Sequence, residues 1–164
     1  MAMFRVVLVL LLVLALPAAN ASAEHRLGGG VNYWVMLDDL DEDFDDNGLS
    51  FLVSYQYWAG LFAVELDVEL MPDRFDETAV APQAYLLFGK GIYAGAGIGI
   101  INSDGDFADK PFFALKAGVN LELLPSTYVD ISANYRFNDE AEFDKGKNID
   151  TDTVFLGAAF RFSL

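Results

Sequence analysis

Residues 62–71 read Phe-Ala-Val-Glu-Leu-Asp-Val-Glu-Leu-Met, with apolar side chains at the even positions and carboxylates at positions 65, 67 and 69. A period of two is typical of a β-strand whose two faces meet different surroundings. About ten residues of tilted strand are also enough to cross the hydrocarbon layer of a bilayer. This segment therefore predicts a membrane-spanning strand with one apolar face and one charged face.

Seven other segments repeat this alternation, and we predict them as strands at residues 26–37, 49–58, 79–88, 92–101, 112–121, 127–137 and 153–164. Short turns alternate with longer polar connections at residues 38–48, 72–78, 102–110 and 138–152. Eight such strands predict an all-β fold, an eight-stranded antiparallel up-and-down transmembrane β-barrel. Pro82 cannot donate a ladder hydrogen bond, so we expect a bulge or a locally unpaired position there.

The chemistry of the two strand faces supports a barrel that lies in a membrane. One face of all eight strands has no carboxylate, amine or guanidinium group, because every strand charge lies on the other face. The charged face carries four acids and four bases: Arg26, Glu65, Asp67, Glu69, Lys116, Asp130, Arg136 and Arg161. Since an unpaired buried charge is costly, this balance predicts a network of ion pairs inside the barrel.

The charged face is also rich in Gly, Ala and Ser. Small residues suit the interior of an eight-stranded barrel, which is only just wide enough for side chains. The alternative is a soluble, lipocalin-like barrel with the apolar face turned inward around a ligand, and it would expose the small-residue face. Aromatic residues near the strand ends are predicted to form interfacial girdles: Tyr57, Phe62, Phe88, Phe137 and Phe162.

The first residues have the organisation of a secretory signal peptide. Arg5 precedes an apolar run at residues 6–16, and the small residues 21–23 follow it. The run is too short for a spanning helix, which needs about 20 residues. We therefore predict a cleaved signal peptide at residues 1–23 and a β-barrel domain at residues 24–164. The chain contains no Cys, which excludes disulfides and thiolate metal sites.

The long connections carry most of the formal net charge of -15, since they hold 19 of the 25 acidic residues. Such a surface repels nucleic acid, while its oxygen ligands suit Ca²⁺ or Mg²⁺. Asp43, Asp45 and Asn47 match the first half of a calcium loop, but its twelfth position is Ser54 rather than Glu. We predict no cofactor and no nucleic-acid partner, with these three residues as candidates for low-affinity cation binding.

Catalytic residues are missing from the predicted strands. The only histidine, His25, lies beside the predicted cleavage site and outside the strands. Ser50 and Ser54 face the lumen without an imidazole, so a nucleophile with its general base is absent. The clustered lumen carboxylates could share protons, but the bases on the same face favour ion pairing. We therefore predict a protein that is not an enzyme.

Three segments carry a family resemblance: Tyr-Ala-Gly-Ala-Gly-Ile-Gly at residues 93–99, Asn-Tyr-Arg-Phe at residues 134–137, and Gly-Ala-Ala-Phe-Arg-Phe at residues 157–162. Together with the eight strands, they resemble the small outer-membrane β-barrel family of the OmpA/OmpX type, often labelled porin family proteins. The resemblance implies a location in the outer membrane of a Gram-negative cell. It also implies contact with outer-membrane lipid and lipopolysaccharide.

The last of these segments is similar to the C-terminal signal that the family presents to the barrel-assembly machinery. Gly157, Phe160 and Phe162 are its candidate signal residues. Such signals usually stop on the aromatic residue, whereas Ser163 and Leu164 follow Phe162 in this chain. The resemblance therefore implies recognition by the assembly machinery, with an unusual ending.

These features favour a non-enzymatic barrel with a packed polar lumen and acidic outer loops. Its expected role is structural or one of surface interaction, with divalent cations as bridges between the loops and lipopolysaccharide. The alternative is a narrow porin-like transport of small solutes or hydrophobic molecules. Bulky side chains on the lumen face argue against an open aqueous pore: Trp58, Tyr85, Leu87, Tyr93, Phe112 and Phe155.

Overall fold

The computed structural model of the chain is a closed antiparallel β-barrel. It describes residues 23–37, 47–74, 77–103, 106–108, 110–137, 141–142, 148–149 and 152–164. Within these ranges, no helix is long and apolar enough to cross a membrane.

Twelve strands follow one another along the described chain. They are β1 (Glu24–Met36), β2 (Asn47–Ala59), β3 (Phe62–Arg74), β4 (Glu77–Gly89), β5 (Ile92–Gly99), β6 (Asn102–Ser103), β7 (Asp106–Phe107), β8 (Phe112–Leu124), β9 (Thr127–Phe137), β10 (Ala141–Glu142), β11 (Asn148–Ile149) and β12 (Thr153–Ser163). Eight of them form the barrel wall: β1 to β5, β8, β9 and β12. The other four are two-residue strands in the connections.

The wall closes because its first and last strands pair. Each wall strand pairs antiparallel with the next one along the chain, and β1 pairs with β12 from Arg26 opposite Ser163 to Met36 opposite Thr153. A closed sheet leaves no strand edge to satisfy in lipid. The predicted fold class, an eight-stranded antiparallel up-and-down barrel, is confirmed.

The alternation in β3 decides which side faces inward. Leu66 and Val68 are about half exposed on the outer surface, whereas Glu65 and Asp67 are buried in the lumen. The other wall strands expose their apolar side chains in the same way, as expected where the solvent outside is hydrocarbon. The soluble-barrel alternative, with the apolar face inward, is wrong.

Aromatic side chains pair near both ends of the wall. Phe62 and Phe88, at the short-turn end, have ring centroids 5.1 Å apart. Tyr135 and Phe137, at the long-loop end, have centroids 4.7 Å apart in an edge-to-face arrangement. These positions correspond to the two interfaces of a bilayer, where aromatic rings concentrate.

Several strand ends differ from those predicted from the sequence. β1 begins at Glu24, so the prediction that His25 lies outside the strands is wrong. The predicted strand at residues 92–101 ends at Gly99, and the connection after it contains β6 and β7. β3 and β4 extend into the connection predicted at residues 72–78, because their ladder continues past an irregularity between Met71 and Arg74.

Pro82 explains why β5 ends where it does. Ile100 donates its backbone N–H to the Pro82 carbonyl at 3.2 Å, but Pro82 has no N–H to return the bond. The β4 ladder therefore stops after Gln83 opposite Gly99 and resumes with Val80 opposite Asn102 of β6, in unchanged register. Of the two expected outcomes at Pro82, a bulge or a locally unpaired position, the structure has the second on the β5 side, while Pro82 pairs with Val68 on the β3 side.

Candidate functional site in the barrel lumen

The candidate site is the interior of the barrel, where charged side chains are almost fully buried. The eight charged residues named from the sequence are each at most 6 % exposed: Arg26, Glu65, Asp67, Glu69, Lys116, Asp130, Arg136 and Arg161. Strand alternation alone brings them there, since each has the lumen-facing parity of its strand. Their partners depend on the register between strands.

Glu65 of β3 is the centre of one cluster. Its carboxylate accepts hydrogen bonds from the Lys116 ammonium of β8 and from the Gln56 amide of β2. The Arg161 guanidinium of β12 donates to it at 3.1 Å. Charged donors from two strands and an amide from a third therefore compensate the buried charge of Glu65.

Two further carboxylates extend this cluster. The Lys116 ammonium lies 3.3 Å from Asp67 Oδ2. Arg161 lies 3.2 Å from Asp130 Oδ1, which also accepts the Tyr93 hydroxyl at 3.0 Å. The charges therefore connect β3, β8, β9 and β12 across the lumen.

Glu69 forms a second cluster nearer the long-loop end. It accepts hydrogen bonds from the Arg136 guanidinium and the Ser50 hydroxyl. The Asn32 amide donates to it at 2.7 Å and the Gln83 amide at 2.8 Å. Four donors saturate this carboxylate, which accounts for its complete burial.

An apolar layer covers the charges on the long-loop side. The Arg136 guanidinium carbon lies 3.7 Å from the Phe155 ring centroid and 4.7 Å from that of Phe112, so the cation is held between two rings. Further buried apolar side chains at this level are Trp34, Met36, Met71 and Ile101. Water from the loop side would have to pass this layer to reach the ion pairs.

Arg26 forms a separate pair at the short-turn end. Its guanidinium donates two hydrogen bonds to Glu24, at 3.0 and 2.9 Å, and lies 3.6 Å from the Tyr128 ring centroid. The four-against-four balance of the sequence therefore does not hold in space. Glu24 lies two residues before Arg26 on the same face of β1 and neutralises it locally.

The central space is nearly full. A cavity of about 10 Å³, room for about one water molecule, lies between lumen side chains that include Asp67, Gln83, Ser132 and Asn134. The aromatic residues predicted to block the lumen, Trp58, Tyr85, Tyr93, Phe112 and Phe155, are each at most 4 % exposed.

Neutral lumen residues complete the site and were not singled out from the sequence. Four buried amides belong to this set. Asn32 and Gln83 donate to Glu69, and Gln56 donates to Glu65. Asn134 donates to the Tyr85 hydroxyl. Their lumen-facing parity was visible in the sequence. Their hydrogen-bond partners were not, because these follow from the stagger between strands.

The residues considered for catalysis lie on opposite sides of the wall. His25 is exposed on the outer surface, where its Nδ1 lies 2.7 Å from the Tyr55 hydroxyl. Ser50 and Ser54 are buried in the lumen, and the Ser54 hydroxyl accepts from Arg161 Nε at 3.2 Å. The serines therefore take part in the charge network, away from the imidazole.

The three residues predicted as candidates for cation binding lie outside the barrel lumen or outside the described residues. Asp43 and Asp45 lie outside the described residues. Asn47 begins β2, and its side-chain oxygen accepts the Tyr33 hydroxyl at 3.0 Å. Among the described residues, no group of three or more His, Cys, Asp or Glu side chains could hold a metal ion.

The candidate assembly residues lie on β12. Phe160 and Phe162 point outward and are more than half exposed, while Gly157 packs against Asn32 inside the barrel. The two residues after Phe162 are also tied to the wall. The backbone N–H groups of residues 163 and 164 donate to the carbonyls of residues 126 and 25, both at 2.9 Å.

Solved outer-membrane barrels share this architecture. Neisserial surface protein A is 13 % identical, with a TM-score of 0.68 over 87 % of this chain and 99 % of that chain. The outer membrane protein AlkL in lipid bilayers is 14 % identical, with a TM-score of 0.52 over 92 % of this chain and 94 % of its own. The N-terminal β-barrel domain of Pseudomonas aeruginosa OprF is 15 % identical, with a TM-score of 0.51 over 87 % of this chain and 98 % of its own. At these identities, the likeness shows the fold alone.

No curated protein matches this chain. The family model described as the outer membrane protein beta-barrel domain, by contrast, matches residues 6–162, which is nearly the whole sequence. This match agrees with the closed wall, the apolar exterior and the aromatic rings at both ends. The chain therefore belongs to the outer membrane protein β-barrel family, whose members lie in the outer membrane.

Proposed function

We propose that this protein is a non-enzymatic barrel that stays closed and serves the cell surface in a structural or interaction role. The observation that carries the proposal is the lumen itself, where buried ion pairs lie beneath an apolar layer. Among the described residues, the lumen serines have no imidazole partner, since His25 lies on the opposite side of the wall. The carboxylate that accepts from Ser50 is Glu69, which is paired with Arg136.

Closure follows from the energetics of the buried pairs. An aqueous path along the barrel axis requires the Glu69–Arg136 contact to separate and the Phe112 and Phe155 rings to move. Removing a partner from a buried ion pair typically costs about 3–5 kcal/mol. Water that enters on opening would solvate the separated charges and offset part of that cost, but the ring packing around Arg136 would also be lost, so we expect the conducting state to be rarely populated.

The outer loops are the second part of the proposal. Their carboxylates repel one another and the phosphates of lipopolysaccharide, and divalent cations relieve both repulsions. Ca²⁺ or Mg²⁺ would therefore bridge the loops and the surrounding lipopolysaccharide. The apolar outer wall, with exposed Leu and Phe side chains, contacts lipid tails in the same leaflet.

The third part of the proposed function concerns export of the chain and its assembly in the outer membrane. Residues 1–23 serve as a signal peptide removed on export, and residues 24–164 form the mature barrel. Gly157, Phe160 and Phe162 serve as the signal to the barrel-assembly machinery. Support comes from the two phenylalanines, which remain accessible on the outer face of the last wall strand.

The test of closure is single-channel conductance of the refolded mature chain in planar bilayers, with and without Ca²⁺. We expect no discrete conductance steps from protein with folded-barrel mobility on an unheated gel. Heat-unfolded protein in the same detergent is the control for contaminants. Reproducible steps would favour the alternative, a narrow transport of small solutes, and would contradict the closed barrel.

The loop proposal has its own measurement. Binding of the refolded barrel to lipopolysaccharide micelles should increase when Ca²⁺ is added and fall when EDTA removes it. Phosphatidylcholine micelles, which carry no net charge, are the control. A response to Ca²⁺ that is equal for both lipids would contradict cation bridging.

A further inference from the structure

The central charge network has one carboxylate more than it has cations. Arg26 is neutralised by Glu24 and so leaves this count. The remaining buried charges among the described residues are the acids Glu65, Asp67, Glu69 and Asp130 and the bases Lys116, Arg136 and Arg161. A net negative charge in a nearly closed interior is costly, so one further positive charge is needed there.

The least compensated of the four carboxylates is Asp67. Glu65, Glu69 and Asp130 each have a guanidinium contact and at least one additional hydrogen-bond donor. Asp67 has no guanidinium contact: it has the Lys116 ammonium at 3.3 Å, which Glu65 also holds, and a side-chain interaction with Ser54 directly opposite on β2. The other oxygen, Asp67 Oδ1, has no hydrogen-bond partner although the residue is 95 % buried.

Among the described residues, three other buried side-chain oxygens also lack a donor, on Asn120, Asp130 and Asn134. The orientation of the Asn134 amide is fixed by its neighbours. A carboxylate can only accept, so the Gln83 amide nitrogen must face Glu69, to which it donates at 2.8 Å. The Gln83 carbonyl then accepts the Tyr85 hydroxyl, whose oxygen accepts the Asn134 amide nitrogen at 2.6 Å. Asn134 Oδ1 is therefore an acceptor, and it has no partner in a residue that is 91 % buried.

Asp67 and Asn134 line the same small cavity. Its volume of about 10 Å³ is close to that of one water-sized probe, and Ser132 also lines it. Lys116 and Arg136 also line the cavity, but apart from the shared Lys116–Asp67 contact they donate to other groups. Two acceptors beside it therefore favour an occupant that donates hydrogen bonds. A water molecule supplies donors but leaves the excess negative charge in place, whereas a proton on one carboxylate removes that charge and also supplies a donor.

We propose that the lumen is a binding site for a single proton, held by Asp67, with one water in the cavity connecting Asp67 to Asn134. The proton makes the central network electrically neutral and turns Asp67 Oδ1 into a donor. Of the charged and titratable side chains in the lumen, Lys116 on β8 contacts Asp67 directly. The others in the network are Glu65 and Glu69 on β3, Tyr85 on β4, Tyr93 on β5, Asp130 and Arg136 on β9, and Arg161 on β12.

A proton bound by the folded barrel determines the direction in which its stability changes with pH. In the unfolded chain, an Asp side chain releases its proton above about pH 4. If the folded barrel holds that proton at neutral pH, the folded state binds more protons than the unfolded state, and stability falls as pH rises. The unfolding equilibrium constant then increases by up to tenfold per pH unit while the proton remains bound.

The test compares two conservative substitutions on one strand. Asp67→Asn should leave the urea midpoint of the refolded barrel unchanged or higher at pH 9, and should remove the pH dependence between pH 5 and pH 9. Glu65→Gln, two residues away, removes a charge that is fully paired, so its midpoint should be lower at every pH. A loss in Asp67→Asn as large as in Glu65→Gln would overturn the proposal.

Two further experiments identify which carboxylate binds the proton and whether the bound cation is a proton or sodium. If Asp130→Asn removes the pH dependence and Asp67→Asn does not, the proton belongs to Asp130 and the proposal is wrong. Measurements in sodium chloride and choline chloride of equal ionic strength should agree. A midpoint of the wild-type barrel that increases with Na⁺, but not in Asp67→Asn, would assign the cavity to sodium and overturn the proton.

The wild-type chain alone gives an independent readout. Infrared spectra of the folded barrel at pH 7 should contain the carbonyl band of one protonated carboxylic acid, and this band should disappear on unfolding at the same pH. Absence of the band in the folded barrel would overturn the proposal even if the variants fail to fold.

Discussion

Lys116 connects two carboxylates of the lumen and is itself buried. Lys116→Ala leaves Glu65 with less compensation, and we expect the free energy of unfolding to fall by about 3–5 kcal/mol. Urea unfolding in detergent, followed by gel mobility, measures this. Lys90→Ala, at an exposed short turn, is the matched control and should behave like wild type. A Lys116→Ala barrel of wild-type stability would show that the lumen charges do not depend on their pairing.

At Gly28, strands β1 and β12 leave no room for a side chain. A Cβ at this position would lie 2.0 Å from the Phe160 carbonyl oxygen and 2.8 Å from the Arg161 Cα, both backbone atoms. We therefore expect Gly28→Ala to destabilise the barrel by about 1–3 kcal/mol. Gly91→Ala is the control, because nothing lies within 4 Å of its added Cβ. Equal unfolding midpoints for the two variants would contradict this account of the inward-facing glycines.

For single residues, the sequence predicted which face of the barrel a side chain occupies better than it predicted the residue with which that side chain pairs. The period of two in β3 placed Glu65, Asp67 and Glu69 on the inner face, because side-chain direction follows from parity alone. The partner of Arg26 was missed, since Glu24 was assigned to a region before the first strand. Which buried oxygen lacks a donor, as at Asn134, depends on amide orientations that no sequence pattern encodes.

Among the elements, β12 carries the candidate assembly signal. Phe162→Ala and Phe113→Ala remove outward aromatic rings of equal exposure, 55 and 54 %, from opposite ends of the wall. We expect only Phe162→Ala to reduce the amount of barrel in the outer membrane of cells several-fold. Both purified chains should refold to similar extents in detergent. An equal loss in cells would assign the effect to general apolar contact rather than to a signal.

The strands were predictable as elements, but their ends were less so. Alternation identified all eight wall strands, and Pro82 correctly marked a break in pairing. The short strands β6 and β7 were missed because two-residue strands have no detectable period. They form because β6 takes over the pairing with β4 that β5 gives up beyond Pro82.

For the whole molecule, the boundary at residue 24 can be measured. Glu24 is paired with Trp58 in the first wall strand, and all eight wall strands lie within residues 24–163. We expect the protein from outer-membrane fractions to have an intact mass that begins at Glu24. A chain expressed without residues 1–23 should still refold in detergent. A mass that includes residues 1–23 would show that the segment is retained.

The burial of both tryptophans has a practical consequence for spectroscopy. Trp34, near the loop end, and Trp58, near the turn end, are the only two in the chain and are 1 % and 4 % exposed. Their indole emission therefore reports on the barrel interior, and brominated acyl chains in the surrounding lipid should quench it little. Replacing each tryptophan in turn by Phe gives two single-emitter barrels. These would show separately when each end of the lumen admits a soluble quencher such as acrylamide.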